Sequence, residues 1–202
     1  PTIFVTTIPV WLPTPTGTGR TDNFPASPLT YHMPSKSQFL WLATLFEGGL
    51  GLTAFMAVSM AEIDPLADLN PDLLAVVWGL LGTLPLYFAF LQSQRWEKMR
   101  EIRDFLIGKM GALLAACRWY ELLYVGLLAG VTEELLFRGF LQPWLEQNWG
   151  WLGGLVFSNL IFALVHWITP LYGLLAGICG LYLGLMLDAG GERNLLTPIL
   201  IH

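Results

Sequence analysis

Four apolar runs dominate this sequence, each close to the ~20 residues a helix needs to cross a bilayer. They are Phe39 to Ala61, Leu73 to Leu91, Tyr120 to Gln142, and Trp151 to Ile168. A fifth run, Leu171 to Leu187, is shorter and Gly-rich, and a sixth starts at Leu195 and stops at His202. Eight helical residues reach only ~12 Å, so the last run does not span as it stands. The expected fold is an all-α, polytopic transmembrane helix bundle of about five spans plus a truncated sixth. Charge agrees. Only 12% of residues are charged, against about 25% in soluble domains. Trp41, Trp96, Trp119, Trp144, Trp149 and Trp151 flank the runs as interfacial anchors do. The expected location is an integral, multi-pass membrane protein surrounded by lipid.

Three regions follow from composition. Residues 1–35 are rich in Pro and Thr, begin without Met and lack the layout of a signal peptide. They read as a disordered leader, with Met33 as a candidate natural start. Residues 36–118 hold the first two runs and a basic connector, and residues 119–202 hold the remainder. Glycines at Gly126-x-x-x-Gly130, Gly173-x-x-x-Gly177 and Gly180-x-x-x-Gly184 suit close packing of helices within one bundle. Oligomeric state is left open. Cys117 and Cys179 are isolated and read as packing residues.

The connection from Glu62 to Asp72 carries four acidic residues and no Lys or Arg. Residues 95–118 carry six of the ten basic ones: Arg95, Lys98, Arg100, Arg103, Lys109 and Arg118. The positive-inside rule places that stretch and the N-terminus in the cytoplasm. Trp96, Met99, Ile102, Leu106, Met110 and Leu113 recur at helical spacing, giving an amphipathic interfacial helix. No basic patch with interleaved aromatics marks a nucleic-acid surface elsewhere. A straight third span would put Glu133 ~20 Å from Tyr120, towards the non-cytoplasmic face, and a broken or re-entrant helix around residues 104–120 would reverse that placement.

Chemistry concentrates in Glu133-Glu134-Leu135-Leu136-Phe137-Arg138, inside that third run. Each ionisable group near the centre of a span costs roughly 2.5–3.5 kcal/mol on insertion scales. Glu134 and Arg138, four apart, share a helical face and offset each other. Glu133 needs another partner. His166 and His202 are the histidines of the C-terminal half, both in apolar helical context. This is the inventory of a hydrolytic site. In one mechanism Glu133 is a general base for water, His166 positions that water, and His202 donates to the oxyanion. In another, Glu133, His166 and His202 ligate a divalent metal such as zinc, although no H-E-x-x-H is present. A serine-type site at Ser158 or Thr132 is a weaker third choice, lacking a nearby His or Lys in sequence. A proton-coupled transporter would show inverted repeats, and none is visible.

E-E-L-L-F-R (Glu133 to Arg138), F-A-L-V-H (Phe162 to His166) and N-L-L-T-P-I-L-I-H (Asn194 to His202) resemble successive motifs of the CPBP family. That family contains the type II CAAX prenyl endopeptidases and bacterial Abi proteins, and the match covers residues 120–202. The resemblance implies a helical membrane bundle with a cavity open to one leaflet. It implies that Glu133 activates water with His166 as partner, and that His202 belongs to the oxyanion site. Glu134 and Arg138 would support the site, and Phe162 would pack against it. No cofactor is favoured. The implied partner is a peptide or lipidated protein, cleaved near its C-terminus. The alternative is a non-catalytic relative acting in bacteriocin immunity or as a scaffold. The family's last Asn, four residues after the final His, is missing here. Because one oxyanion donor is worth ~10²–10³ in rate, the chain as written is expected to be nearly inactive, and extension of its last helix to restore activity.

Overall fold

The computed structural model describes residues 34–202; residues 1–33 of the expected leader, Met33 included, lie outside the described residues. Every regular element among the described residues is helical. They are α1 (Lys36–Ala61), α2 (Leu73–Ser93), α3 (Glu97–Ala116), α4 (Trp119–Glu134), a π-helical segment (Leu135–Leu141), α5 (Gln142–Val165), α6 (Pro170–Met186) and α7 (Leu196–Ile201). Three stretches are long and apolar enough to cross a membrane: Lys36–Ala57, Leu73–Ser93 and Trp119–Val165. The third covers 47 residues and is not one rod. Gly150, at φ 71° and ψ 172°, breaks α5 and turns the chain back. Two of the spans expected from sequence thus lie on either side of one glycine, and α6 supplies the shorter apolar helix. The six tryptophans at the ends of the runs are all exposed, as interfacial anchors require.

The run over Tyr120 to Gln142 is α4 leading into the π segment. Such wide turns are rare and often sit at functional sites. At the other end, extended backbone at Cys117 and Arg118 separates α4 from α3. Helix α3 buries none of its residues. From the expected apolar stripe, Met99, Ile102, Leu106 and Met110 turn towards a cavity between α2, α3 and α6.

The helices pack as α5 on α6, α2 on α7, and α1 on α4 and the π segment. Ala54, Leu135, Leu187 and Leu195 form the common core. Close glycine contacts are intramolecular. A Cβ on Gly177 would sit 3.0 Å from that of Ala163, and one on Gly173 would sit 2.7 Å from the Trp167 ring.

Two loops clasp each other at the acidic end. Asp72 caps α2 through the Ala75 amide (2.7 Å), and Asn194 Nδ2 donates to the other oxygen of Asp72 (2.7 Å) and to Asn70 O (2.7 Å). Arg193 reaches Glu146 at 2.7 Å and Asp188 at 3.0 Å. Burial disfavours its charge, but the hydrogen bonds it donates to Glu146 and Asp188 outweigh that and hold the guanidinium above its ordinary range. Burial pushes the nearby Asp68 carboxyl up, with Arg193 opposing. Here Gly139 lies directly against the Pro65 carbonyl, where any Cβ would collide with backbone. Gly139→Ala is therefore expected to cost about 1–3 kcal/mol, the range for overpacking, read as a lower thermal unfolding midpoint in detergent.

Candidate active site

Successive residues on a helix point about 100° apart, so adjacent Glu133 and Glu134 at the end of α4 face different neighbours. Glu134 is 0% exposed and looks inward to Arg138 on the π segment, itself 1% exposed. Arg138 Nη1 donates to Glu134 Oε1 at 2.9 Å. Its Nη2 donates to Asn159 Oδ1 at 2.9 Å and to the Gly180 carbonyl at 2.7 Å. The guanidinium also lies 5.0 Å over the Phe162 ring. One cation thereby joins the π segment, α4, α5 and α6. The fit depends on Gly180, where a Cβ would lie 2.5 Å from Asn159 Oδ1 and 3.2 Å from Arg138 Nη2.

Glu134 has a second guest. His202 Nδ1 lies 2.8 Å from the same Oε1. Gly130, one turn earlier on α4, faces His202, and a Cβ there would make an ordinary contact at 3.6 Å with that of His202. Glu134 thus fixes both a guanidinium and a ring orientation, and the second His202 nitrogen remains available beside the cavity that His202 lines.

Glu133 faces the other way. Its Oε2 lies 3.7 Å from His166 Nε2 and has no hydrogen-bond partner among the described residues. The ring is oriented from behind: His166 Nδ1 lies 2.9 Å from the Phe162 carbonyl, and Phe162 stacks on it with centroids 4.2 Å apart. A carbonyl oxygen only accepts, so the proton sits on Nδ1 and a neutral ring turns a lone pair at Nε2 towards Glu133. Two acceptors 3.7 Å apart are too far for a direct hydrogen bond. Both turn an acceptor towards the same space, where a bridging water would be held at a narrow angle.

The structure brings together Glu133 with His166, and Glu134 with Arg138 and His202, while Phe162 packs between Arg138 and His166. Among the described residues, no group of three or more His, Cys, Asp or Glu side chains is arranged to hold a metal ion. Among the described residues Ser158 and Thr132 hydrogen-bond to no His or Lys; Ser158 instead bonds the Leu155 carbonyl and Asn159, and Thr132 reaches Glu47. Sequence reasoning overlooked two participants. Asn159 lies three and seven residues before Phe162 and His166, one helical face that the spacing already displayed. Glu47 is the one acidic residue of the first apolar run, and the cost argument applied to Glu133 applies to it equally.

A cavity of about 670 Å³ adjoins these groups. His166, His202, Phe162 and Tyr172 line one part, and Ser93, Gln94, Arg103 and the apolar face of α3 line another. It links the imidazoles with the basic end of the molecule.

The family model described as type II CAAX prenyl endopeptidase Rce1-like matches residues 115–202. No curated protein and no solved structure matches the chain. With its apolar helices the chain is an integral membrane protein. The matched segment supplies Glu133, Glu134, Arg138, Phe162, His166 and His202, and it is there that the chain is similar to the type II CAAX prenyl endopeptidase Rce1-like family.

Proposed function

We propose that this multi-pass membrane protein is an intramembrane endopeptidase that hydrolyses a peptide bond near the C-terminus of a membrane-associated, CAAX-like protein or peptide. The observation that carries the reading is the 3.7 Å gap between Glu133 Oε2 and His166 Nε2. A water held there donates one hydrogen to each and turns an oxygen lone pair towards a substrate carbonyl. Glu133 takes one proton as the C–O bond forms and returns it to the leaving amine as the C–N bond breaks. His202, anchored by Glu134, faces the developing oxyanion. A ring protonated on both nitrogens holds Glu134 with Nδ1–H and offers Nε2–H to that oxygen. The apolar cavity accepts the substrate's lipid-embedded part, with Arg103 and Gln94 at its basic end.

The test is cleavage of a fluorogenic, farnesylated C-terminal peptide by purified protein in lipid nanodiscs. Product is expected with wild type, and its absence across prenylated and unprenylated peptides counts against the reading. The same assay separates the two mechanisms. His202 Nδ1 is committed to Glu134 and His166 Nδ1 to the Phe162 carbonyl, which leaves Nε2 of each ring for water, an oxyanion or a metal, and we favour the metal-free route. Strong chelators are expected to leave the rate unchanged. Loss on chelation with recovery on adding zinc would move Glu133, His166 and His202 into the role of ligands.

A further inference from the structure

The cavity beside the imidazoles carries its fixed charge at one place. Among the described residues that line it, Arg103 is the one lysine or arginine, and no aspartate or glutamate is present. Most of the remaining wall is aliphatic or aromatic, from Leu86 and Phe90 on α2 to Leu175 and Leu183 on α6. Arg103 stands on α3, a helix that buries none of its residues, so it marks where the cavity meets its surroundings. A guanidinium stays ionised at any ordinary pH. Such a wall suits a ligand that is apolar over most of its length and ends in an anion. The anion need not be stripped of water, because the cation that receives it is exposed.

Arg103 is held in place without being used up. Its Nε and Nη2 donate to Asp104 Oδ1 at 3.0 and 2.9 Å, and its Nη1 donates to Gln94 Oε1 at 2.9 Å. A guanidinium has five N–H groups, so one on each Nη nitrogen is left for a ligand. Two N–H groups from one guanidinium are what a carboxylate takes in a paired contact. Gln94 caps the end of α2 and lines the cavity too, so its amide oxygen orients the guanidinium across the α2–α3 turn. Asp104 does not line the cavity, and both members of that ion pair are exposed. Water screens such a pair, and Arg103 remains free to take a second anion.

We infer that Arg103, oriented by Gln94, binds the terminal carboxylate of the substrate and makes the cavity selective for a free chain end. This rests on the proposed cleavage near a C-terminus, whose carboxylate is ionised at neutral pH. The imidazoles line the same cavity and are left to the reacting carbonyl.

The test pairs two farnesylated peptides, one ending in a carboxylate and the other in an amide, with protein in phosphatidylcholine nanodiscs. Wild type should cleave the acid with roughly tenfold higher kcat/KM, the low end for hydrogen bonds to a charged group. The difference should lie in KM, since the contact is made equally before and during reaction. Arg103→Gln should bring the two peptides level, and Arg103→Lys, which keeps the charge, should retain the preference. A general loss of folding lowers both rates and does not level them. Equal cleavage by wild type overturns the inference, and so does a preference that survives Arg103→Gln. Displacement of a fluorescent acid peptide reads the same selectivity without turnover. Acid-selective, Arg103-dependent binding with no product sinks the hydrolase reading alone. Product without selectivity sinks the carboxylate site alone, and neither binding nor product overturns both.

Discussion

Glu133→Gln is expected to lower kcat for peptide cleavage by about 10²–10⁴-fold, the contribution of a positioned general base, with little change in stability. The asymmetry has a structural origin. Glu133 Oε2 has no hydrogen-bond partner among the described residues, so an amide in its place breaks no hydrogen bond at that oxygen. It does change the face turned to water. An amide nitrogen cannot accept a proton, and it would donate towards His166 Nε2, where the lone pair sits. The measurement is single-turnover cleavage of the farnesylated peptide beside thermal unfolding of the same preparation. Retained cleavage at wild-type rate would exclude Glu133 as the base. A protein acting by binding alone would keep its function in this variant, so the same substitution separates the enzyme from an immunity factor or scaffold.

Arg138→Met is expected to do the reverse, destabilising the bundle before chemistry is reached. It leaves Glu134, 0% exposed, with His202 as its remaining ionisable partner, and leaves Asn159 Oδ1 and the Gly180 carbonyl without their donor. Breaking one side of a buried pair typically costs 3–5 kcal/mol, roughly the size of a small domain's whole stability margin. Denaturant unfolding in mixed micelles should show it. Neutralising both partners, as Arg138→Met with Glu134→Gln, should recover much of the loss. It should not recover activity, because Glu134 also fixes the His202 ring at 2.8 Å. Full recovery of cleavage in the double variant would remove Glu134 from the site's support.

The helices were legible because lipid demands long apolar runs, and Lys36–Ala57 and Leu73–Ser93 stand close to where composition placed them. The Glu134–Arg138 pair was legible from four-residue spacing. The π segment was not. Leu135–Leu141 reads as ordinary helix because its widening answers tertiary contacts, among them Gly139 against Pro65. The turn at Gly150 was likewise masked by the apolar and aromatic residues on either side. Asn159 and Glu47 escaped notice for a different reason. Each gains meaning from a partner on another helix, Arg138 in one case and Thr132 in the other, and no local pattern announces either contact.

The buried guanidinium also imposes an order on assembly. Its carboxylate partner is four residues away on the chain, Asn159 is 21 residues away, and the Gly180 carbonyl is 42 away. During synthesis the cation can enter the membrane already neutralised by Glu134, while its two remaining acceptors emerge one after the other. Until α6 is inserted and docked, Nη2 of Arg138 lacks the Gly180 carbonyl. The guanidinium's shell is therefore completed only when the last of these helices arrives.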